Sequence, residues 1–393
     1  MAKKLVKATK VGTDGGNGEL KLMFENMTEG LAIPTAEIRV LNPNEKGNFL
    51  SQTKVTPENI QDHLDITYVS SKSLSNTNER YLIGKKTLTK LKDSVLETDT
   101  SEAKKYESEV VARTVLAGLL VHAIRQNPEK DRIEAAYDLS LCLPFIEVDQ
   151  EQFQKNSNRF IGTHELLFHY PQGNTVTVVI KIEYAVTNPE SAVASFGIVY
   201  ERDWSLKQYP IKTDEGQTLI TLENRPLLIP DIGAGTLDAA VMNGVNLDFD
   251  NSIGVELGTK KTIEKVIEAW NRQFADDKLT SLTQFNDVYG NEEDFNSSKL
   301  QSFTQPYLEN DAKLIAKVIK ELMSNLPSQT IIVFCGGGSL LFKPSLITLL
   351  DKYSKQMIFK KDAKFANAEG LLIFATHPTF EEMKKDFLGV TNG

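Results

Sequence analysis

The sequence contains two glycine-rich turns that decide its fold class: Asp14-Gly15-Gly16-Asn17-Gly18-Glu19-Leu20-Lys21 and, far downstream, Asp231-Ile232-Gly233-Ala234-Gly235-Thr236-Leu237-Asp238. Each turn opens with an aspartate and follows a β-type segment. Asp-Gly and Gly-Gly pairs are common in hairpins, so either turn alone would be weak evidence. Together they offer two carboxylates and unhindered backbone N–H groups, which can hold a metal-bound polyphosphate. The repeated turn therefore predicts a nucleotide site supplied by two halves of the chain.

Length and composition favour a two-domain globular protein. At 393 residues the chain is long for one domain, and two domains of roughly 150–200 residues are expected. The net charge of −9 argues against direct nucleic-acid binding, whose footprint is basic. No apolar run approaches a membrane span, and the lysine-rich start leads into polar sequence, unlike a secretory signal. Cys142 and Cys335 lie in apolar runs and are predicted to be buried thiols of a cytoplasmic protein without membrane partners.

The order of predicted elements repeats along the chain. Each turn is predicted to join two strands, and helical periodicity predicts a helix over residues 101–126 that starts near Thr98 or Ser101. Residues 41–78 are polar, with β-type pieces such as residues 66–69, and predict a small exposed subdomain. The remaining predicted segments are strands at 135–143 and 330–335, a hairpin at 164–170 and 175–186, and helices at 189–199, 259–271, 311–324 and 366–375. This order indicates two α/β halves flanking a cleft.

The first turn has the chemistry of a phosphate-binding loop. Gly15, Gly16 and Gly18 carry no Cβ, so the chain can approach phosphate closely, with Asn17 at the same tip. Lys21, on the strand that leaves the turn, can reach back to phosphate as a point charge. The alternative is a plain hairpin with a solvated lysine.

The second turn places a carboxylate at the end of a buried strand. Asp231 follows the apolar residues 227–230, where an unpaired carboxylate would be costly, so a metal or backbone N–H groups are expected beside it. The phosphate-binding candidates that follow it are Gly233, Ala234, Gly235 and Thr236. The alternative is that Asp231 is an Asx-turn residue. Asp238 is interpreted as structural.

Three further segments carry candidate functions. Glu190 is predicted to begin a helix of small residues at a hinge. Its carboxylate is either there because the helix dipole stabilises it, or it orients the water that attacks a γ-phosphate. Gly336, Gly337, Gly338 and Ser339 follow a buried strand and could pack against a flat adenine and ribose. Residues 366–370 are a second candidate hinge.

These segments, in this order, resemble the actin-like ATPase superfamily. Its two phosphate patterns are similar to residues 14–21 and 231–238, its connecting patterns to 189–197 and 366–370, and its adenosine pattern to 331–339. The first turn and the Leu143-Pro144 step are similar to plasmid-segregation actins of the ParM type. The resemblance implies an α/β, actin-like (duplicated ribonuclease H-like) fold with two α/β domains flanking a nucleotide cleft. Domain I would comprise residues 1–188, including the subdomain at 41–78, completed by 366–393, and domain II residues 189–365.

The resemblance also implies roles for individual residues. Asp14 and Asp231 would hold Mg²⁺ through waters, Lys21 and the glycines of both turns would bind phosphates, and Glu190 would position the hydrolytic water. Gly336 to Gly338 would line the nucleoside. Lys260, Lys261 and Glu264 are candidates for base contacts, although a surface charge pair also explains them.

The implied activity is hydrolysis of ATP, possibly GTP, coupled to growth of a polar homopolymer that separates plasmid copies. The implied partner is a DNA-binding adaptor on a centromere-like plasmid site. The alternatives are a small-molecule kinase or a monomeric ATPase of the same architecture, although no distinct substrate-pocket motif is visible. The amphipathic tail, residues 380–393, is interpreted as a docked helix and not as a membrane anchor.

Overall fold

The computed structural model describes residues 7–40, 54–88, 104–147, 149–171, 173–213, 216–291 and 293–389. The chain divides into two compact units. Unit 1 comprises Met1–Leu143, Glu147–Asn188 and Ala368–Gly393, and unit 2 comprises Pro144–Ile146 and Pro189–Asn367. Apart from the short Pro144–Ile146 segment, the chain therefore leaves unit 1 after Asn188 and returns to it after Asn367.

Both units contain strands as well as helices. The strands of the described residues are β1 Thr9–Gly15, β2 Glu19–Phe24, β3 Leu31–Pro34, β4 Glu37–Arg39, β5 Asp65–Ser70, β6 Glu79–Ile83, β7 Arg132–Leu143, β8 Gly162–His169, β9 Thr175–Pro189, β10 Tyr209–Thr213, β11 Gly216–Ile220, β12 Pro226–Ile232, β13 Leu237–Asn243, β14 Asn246–Val255, β15 Ile331–Phe334 and β16 Met357–Phe359. The helices are α1 Lys85–Leu88, α2 Glu109–Gln126, α3 Gln150–Phe160, α4 Ala194–Val199, α5 Lys260–Gln273, α6 Leu282–Gly290, α7 Ser297–Ser324, α8 Gly337–Leu349, α9 Ala366–Thr376 and α10 Pro378–Leu388.

Both units contain the same strand arrangement. In unit 1, β1, β2 and β3 form an antiparallel meander, and β1 pairs in parallel with β7 on its other side. In unit 2, β12, β13 and β14 form the same meander, and β12 pairs in parallel with β15. The full orders are β3-β2-β1-β7-β9-β8-β5-β6-β4 and β14-β13-β12-β15-β16. The predicted internal repeat of the architecture is confirmed.

The core of unit 1 forms around α2, which is buried along nearly its whole length and contacts β1, β2, β3 and β7. Its N-terminus is capped by Ser108, whose hydroxyl accepts from the Val111 N–H. The predicted start at Thr98 or Ser101 lies outside the described residues, but residues 104–108 are not helical. The helix therefore begins later than predicted, because a better cap stands next to its apolar run.

Three other predictions about elements are wrong. The helix predicted at 311–324 begins at Ser297 and continues through Pro306, a residue that normally suggests a helix end. The helix predicted at 189–199 begins only at Ala194, because Ser191 has a left-handed backbone with φ of 63°. Within the predicted exposed subdomain, β5 is a buried strand of the nine-stranded sheet. Residues 41–53 of that segment lie outside the described residues.

The C-terminal segment docks within unit 1. Phe380 of α10 is buried against Tyr184, and the Lys384 ammonium lies 2.7 Å from an Asp138 carboxylate oxygen and 3.3 Å from Glu183. The interpretation of the tail as a docked helix is confirmed. Both cysteines are buried thiols that form no disulfide, as predicted. Among the helices described here, none combines the length and apolar character that crossing a bilayer requires.

Candidate functional site

The first candidate phosphate-binding turn lies at the end of β1, where Asp14 is buried. In the register of the hairpin Asp14 pairs directly with Lys21 of β2. Directly opposite residues of an antiparallel pair present their side chains on the same face. The Lys21 ammonium accordingly lies 3.5 Å from Asp14 Oδ2. The Lys21 ammonium therefore lies beside the carboxylate that opens the turn, and its binding of phosphate stays a prediction.

A second lysine, which the sequence did not suggest, lies on the other oxygen of the same carboxylate. Lys105 is buried, and its ammonium is 3.6 Å from Asp14 Oδ1. The Cys142 thiol also donates to Oδ1, at 3.7 Å. Burial by itself would raise the pKa of Asp14, but Lys21 and then Lys105 outweigh it and lower that pKa. Asp14 is therefore an ionised carboxylate held between two ammonium groups.

The tip of the first turn is short and consists mainly of glycine. The Gly16 N–H donates to the Asp14 carbonyl, and the Thr35 hydroxyl donates to the Gly16 carbonyl at 2.7 Å, which fixes the turn. A Cβ on Gly16 would lie 3.3 Å from the Lys21 ammonium. Asn17 and Gly18 are exposed at the tip. A Cβ on Gly16 would also lie 2.6 Å from the Glu19 carbonyl oxygen, so the conformation of the turn requires glycine at residue 16.

The second candidate turn, in unit 2, has the same hairpin register with a different side chain opposite its aspartate. Asp231 is buried at the end of β12, and its register partner on β13 is Asp238, at the position that Lys21 holds in the first hairpin. Asp238 accepts from the Phe145 N–H at 2.7 Å and from the Thr236 hydroxyl at 2.6 Å. Asp238 thus joins the backbone at Phe145 to the second turn within unit 2, which agrees with its interpretation as structural.

The second turn is anchored on the start of α5. The carbonyls of Gly233 and Ala234 accept from the N–H groups of Thr259 and Lys260, which satisfies donors at that end of the helix. Gly235, the next residue of the turn, is exposed. The predicted base-contact candidates lie on α5: Lys260 and Glu264 form an ion pair at 3.9 Å, and Lys261 is exposed. The surface charge pair is thus present, and a role in base binding stays a prediction.

The glycine triplet begins α8 directly beside Asp231. Gly336 has φ of 77°, and a Cβ there would lie 2.2 Å from Asp231 Oδ1. A Cβ on Gly338 would lie 2.7 Å from side-chain atoms of Ile232 and Thr259. Around Gly337, in contrast, a Cβ would meet no described atom within 4 Å. The Ser339 hydroxyl donates to the Gly336 carbonyl at 2.7 Å. Only Gly337 therefore borders open space.

Asp231 has a further partner that the sequence did not suggest. Asn367 Nδ2 donates to Asp231 Oδ2 at 2.6 Å, and Asn367 Oδ1 accepts from the Ser191 N–H at 3.0 Å. Glu190 precedes Ser191 and is half-buried in a turn. It does not begin a helix as predicted, since α4 starts four residues later. A helix dipole therefore does not explain the carboxylate at this position.

Comparison with known proteins identifies the architecture. The family model for the C-terminal part of archaeal MreB-like actin homologues matches residues 229–348. The crystal structure of the actin-like protein Alp7A superposes with a TM-score of 0.69 at 17% identity, covering 98% of this chain and 100% of that one. The chain has the actin-like fold. The predicted fold class is confirmed.

Two other actin-like structures extend the comparison. ParM from Bacillus thuringiensis with ADP has a TM-score of 0.66 at 18% identity, covering 95% of this chain and 99% of that one. An archaeal actin homologue has a TM-score of 0.59 at 15% identity, with coverages of 93% and 99%. A search of curated proteins finds no significant match. The predicted resemblance to actin-like proteins, including ParM, agrees with these neighbours.

Proposed function

We propose that this chain is a filament-forming actin-like ATPase that polymerises on ATP, or GTP, and drives plasmid DNA segregation in the cytoplasm. The observation that carries the proposal is Asp14, a buried and ionised carboxylate flanked by Lys21 and Lys105 at the mouth of a glycine turn. Bacillus thuringiensis ParM, which shares the fold, has been solved with ATP, ADP and AMPPNP. These structures support a nucleotide as the ligand.

The donor set fits Mg²⁺ bound to a nucleotide. Asp14 and Asp231 supply hard carboxylate oxygens at equivalent strand ends, and such oxygens are what Mg²⁺ prefers, commonly through retained waters. When bound, Mg²⁺ would neutralise charge on the phosphate oxygens. The glycines beside both aspartates exclude side chains from the space that phosphates need.

Phosphate binding, orientation of the water and contact with the nucleoside are assigned to residues of the chain. Lys21 and Lys105 bind phosphate oxygens, and the backbone of both turns supplies N–H donors. Glu190 orients a water whose oxygen bonds to the γ-phosphorus while the bond between that phosphorus and the β,γ-bridging oxygen breaks. One proton of the water passes to an oxygen of the transferred phosphoryl group, so the products are ADP and inorganic phosphate. Gly337, with open space around it, lies against the nucleoside.

Two partners belong to the proposal. The first is the chain itself, as a polar homopolymer, and the second is a DNA-binding adaptor on a centromere-like plasmid site. The net charge of −9 supports an adaptor in preference to direct contact with DNA. The resemblance to ParM-type proteins supports the cargo.

Light scattering and phosphate release, recorded together, test the proposal. Purified protein is mixed with Mg²⁺ and ATP, GTP, ADP or no nucleotide over a wide range of protein concentration. We expect scattering that rises with triphosphate and decays as phosphate appears. Phosphate release without scattering at any concentration would contradict the filament and favour a kinase or monomeric ATPase. Absence of nucleotide binding would contradict the whole proposal.

A further inference from the structure

The Asn367 side chain joins two distant parts of unit 2. Its amide nitrogen donates to Asp231 Oδ2 at 2.6 Å, and its amide oxygen accepts from the Ser191 N–H at 3.0 Å. All three residues are buried: the exposed fraction is 5% for Asn367, 6% for Asp231 and 0% for Ser191. Both ends of one amide are thus used, so each bond holds the side chain in the orientation that the other requires.

Ser191 is held in an uncommon conformation at one end of this connection. Its φ of 63° is left-handed, which a residue with a side chain adopts only when its surroundings impose it. The Ser191 hydroxyl donates to the Ile229 carbonyl of β12 and accepts from the Ala240 N–H of β13 at 3.1 Å. The pairing of β13 with β14 is irregular between Ala239 and Val241. Ile229 and Ala240 lie opposite one another in the β12–β13 pairing, so the Ser191 hydroxyl bonds to both strands of that pair.

The two ends lie where the chain passes between units. Ser191 is the third residue after the chain leaves unit 1, and Asn367 is the last residue before it returns. Asp231, the carboxylate at the end of β12, is bonded to the second of these and through it to the first. The orientation of the Asp231 carboxylate therefore depends on the backbone at both passages.

We propose that Asn367 is a positioning residue that orients the Asp231 carboxylate for a divalent metal accompanying the nucleotide and couples that metal to the turn at Ser191. The proposal rests on the proposed function, because the metal–nucleotide is its ligand. Outer partners of metal-binding carboxylates commonly contribute about 10–100-fold to metal affinity. Loss of the Asn367 donor removes the 2.6 Å hydrogen bond that constrains the orientation of Asp231 Oδ2.

The test measures the Mg²⁺-dependent part of nucleotide affinity. Calorimetric Kd values for ATP are determined with Mg²⁺ and with EDTA for the wild type, Asn367→Ala and Asn367→Asp, which keeps the volume but loses the amide donor. Asn156→Ala is the matched control, since Asn156 is a similarly buried asparagine of unit 1 whose amide donates to Thr187.

We expect both Asn367 variants to lose at least about tenfold of the affinity that Mg²⁺ adds, with the Kd in EDTA within about twofold of the wild type. Asn156→Ala is expected to keep the wild-type increment. An unchanged Mg²⁺ increment in the Asn367 variants, or equal losses with and without Mg²⁺, would overturn the positioning role. A wild type that binds no nucleotide would instead contradict the proposed function.

A second test uses the wild-type protein and is therefore independent of whether the Asn367 variants fold. Hydrogen exchange at the Ser191 amide, which donates to Asn367, is compared with ATP in Mg²⁺ and in EDTA. We expect slower exchange with Mg²⁺ because an ordered Asp231 holds Asn367 in place. Identical exchange in the two conditions would overturn the coupling.

Discussion

The two adjacent glycines at the start of α8 should change the free energy of unfolding with opposite signs when each is replaced by alanine. A Cβ on Gly336 would lie 2.2 Å from Asp231 Oδ1 and 2.4 Å from the Ile232 carbonyl oxygen, and φ there is 77°. Gly337 begins α8 with a Cβ position that meets no described atom within 4 Å. The comparison is therefore Gly336→Ala against Gly337→Ala.

The magnitudes follow from backbone conformation and overlap. The left-handed region costs an alanine about 1–2 kcal/mol, and shifting a backbone and a carboxylate oxygen costs about 1–3 kcal/mol more. Gly336→Ala should therefore lower the free energy of unfolding of unit 2 by about 2–5 kcal/mol. Gly337→Ala adds a helix-favouring residue without overlap and should raise it by up to about 1 kcal/mol, because alanine loses less backbone entropy on folding.

Urea unfolding followed by tryptophan fluorescence measures this difference. Both tryptophans, Trp204 and Trp270, belong to unit 2, so the signal reports the unit that contains the substitutions. Gly336→Ala is expected to unfold at clearly lower urea than the wild type, with Gly337→Ala at or above it. Coincident curves for the two variants would refute the assignment of Gly336 as a site of close approach to Asp231.

Three further predictions concern ligand affinity and pH. Gly337→Ala should weaken ATP binding by about tenfold, or 1.4 kcal/mol, if the methyl group takes the nucleoside's space, and calorimetry showing a wild-type Kd would remove Gly337 from the site. Lys105→Met should weaken triphosphate binding by at least a similar factor, because a buried cation is lost. The control Lys104→Met removes an exposed neighbouring cation and should leave the Kd unchanged, and equal Kd values for the two variants would count against a role of Lys105 in binding. Burial, and then Arg125, lower the pKa of His122 from 6.5 to about 4. The unfolded chain therefore binds this proton more readily, and the stability of unit 1 should fall by up to about 3 kcal/mol as the pH drops from 6.5 to about 4. Urea unfolding followed by circular dichroism gives the free energy of unfolding at each pH. This free energy should fall less steeply with decreasing pH for His122→Gln than for the wild type, and an equal dependence on pH would contradict the prediction.

The strand–turn–strand halves could be predicted because their signals are local. Asp14 and Lys21 lie seven residues apart, as do Asp231 and Asp238, and hairpin register alone brings each pair opposite one another. Alternating apolar residues then predict which strands are buried. The resemblance to actin-like proteins rested on the order of these short segments and needed no contact between them.

The predictions for α7, α4 and β5 were wrong because tertiary packing overrode the local sequence pattern. Pro306 lies inside α7, although proline ordinarily ends a helical pattern, and α4 is shorter than predicted because Ser191 is left-handed. The strand β5 lies in polar sequence, yet Ile66 and Tyr68 are buried in the sheet. In each case the deciding contacts come from distant residues, which periodicity does not record.

The sequence by itself determined the duplicated hairpins, the two aspartates at their strand ends and the lysine opposite the first of them. Only the tertiary structure decided which side chains surround those carboxylates. Lys105 reaches Asp14 across 91 positions of sequence, and Asn367 reaches Asp231 across 136. Such partners are chosen by the folding of the sheet and helices, because burying a carboxylate requires compensating donors or cations that can come from any part of the chain.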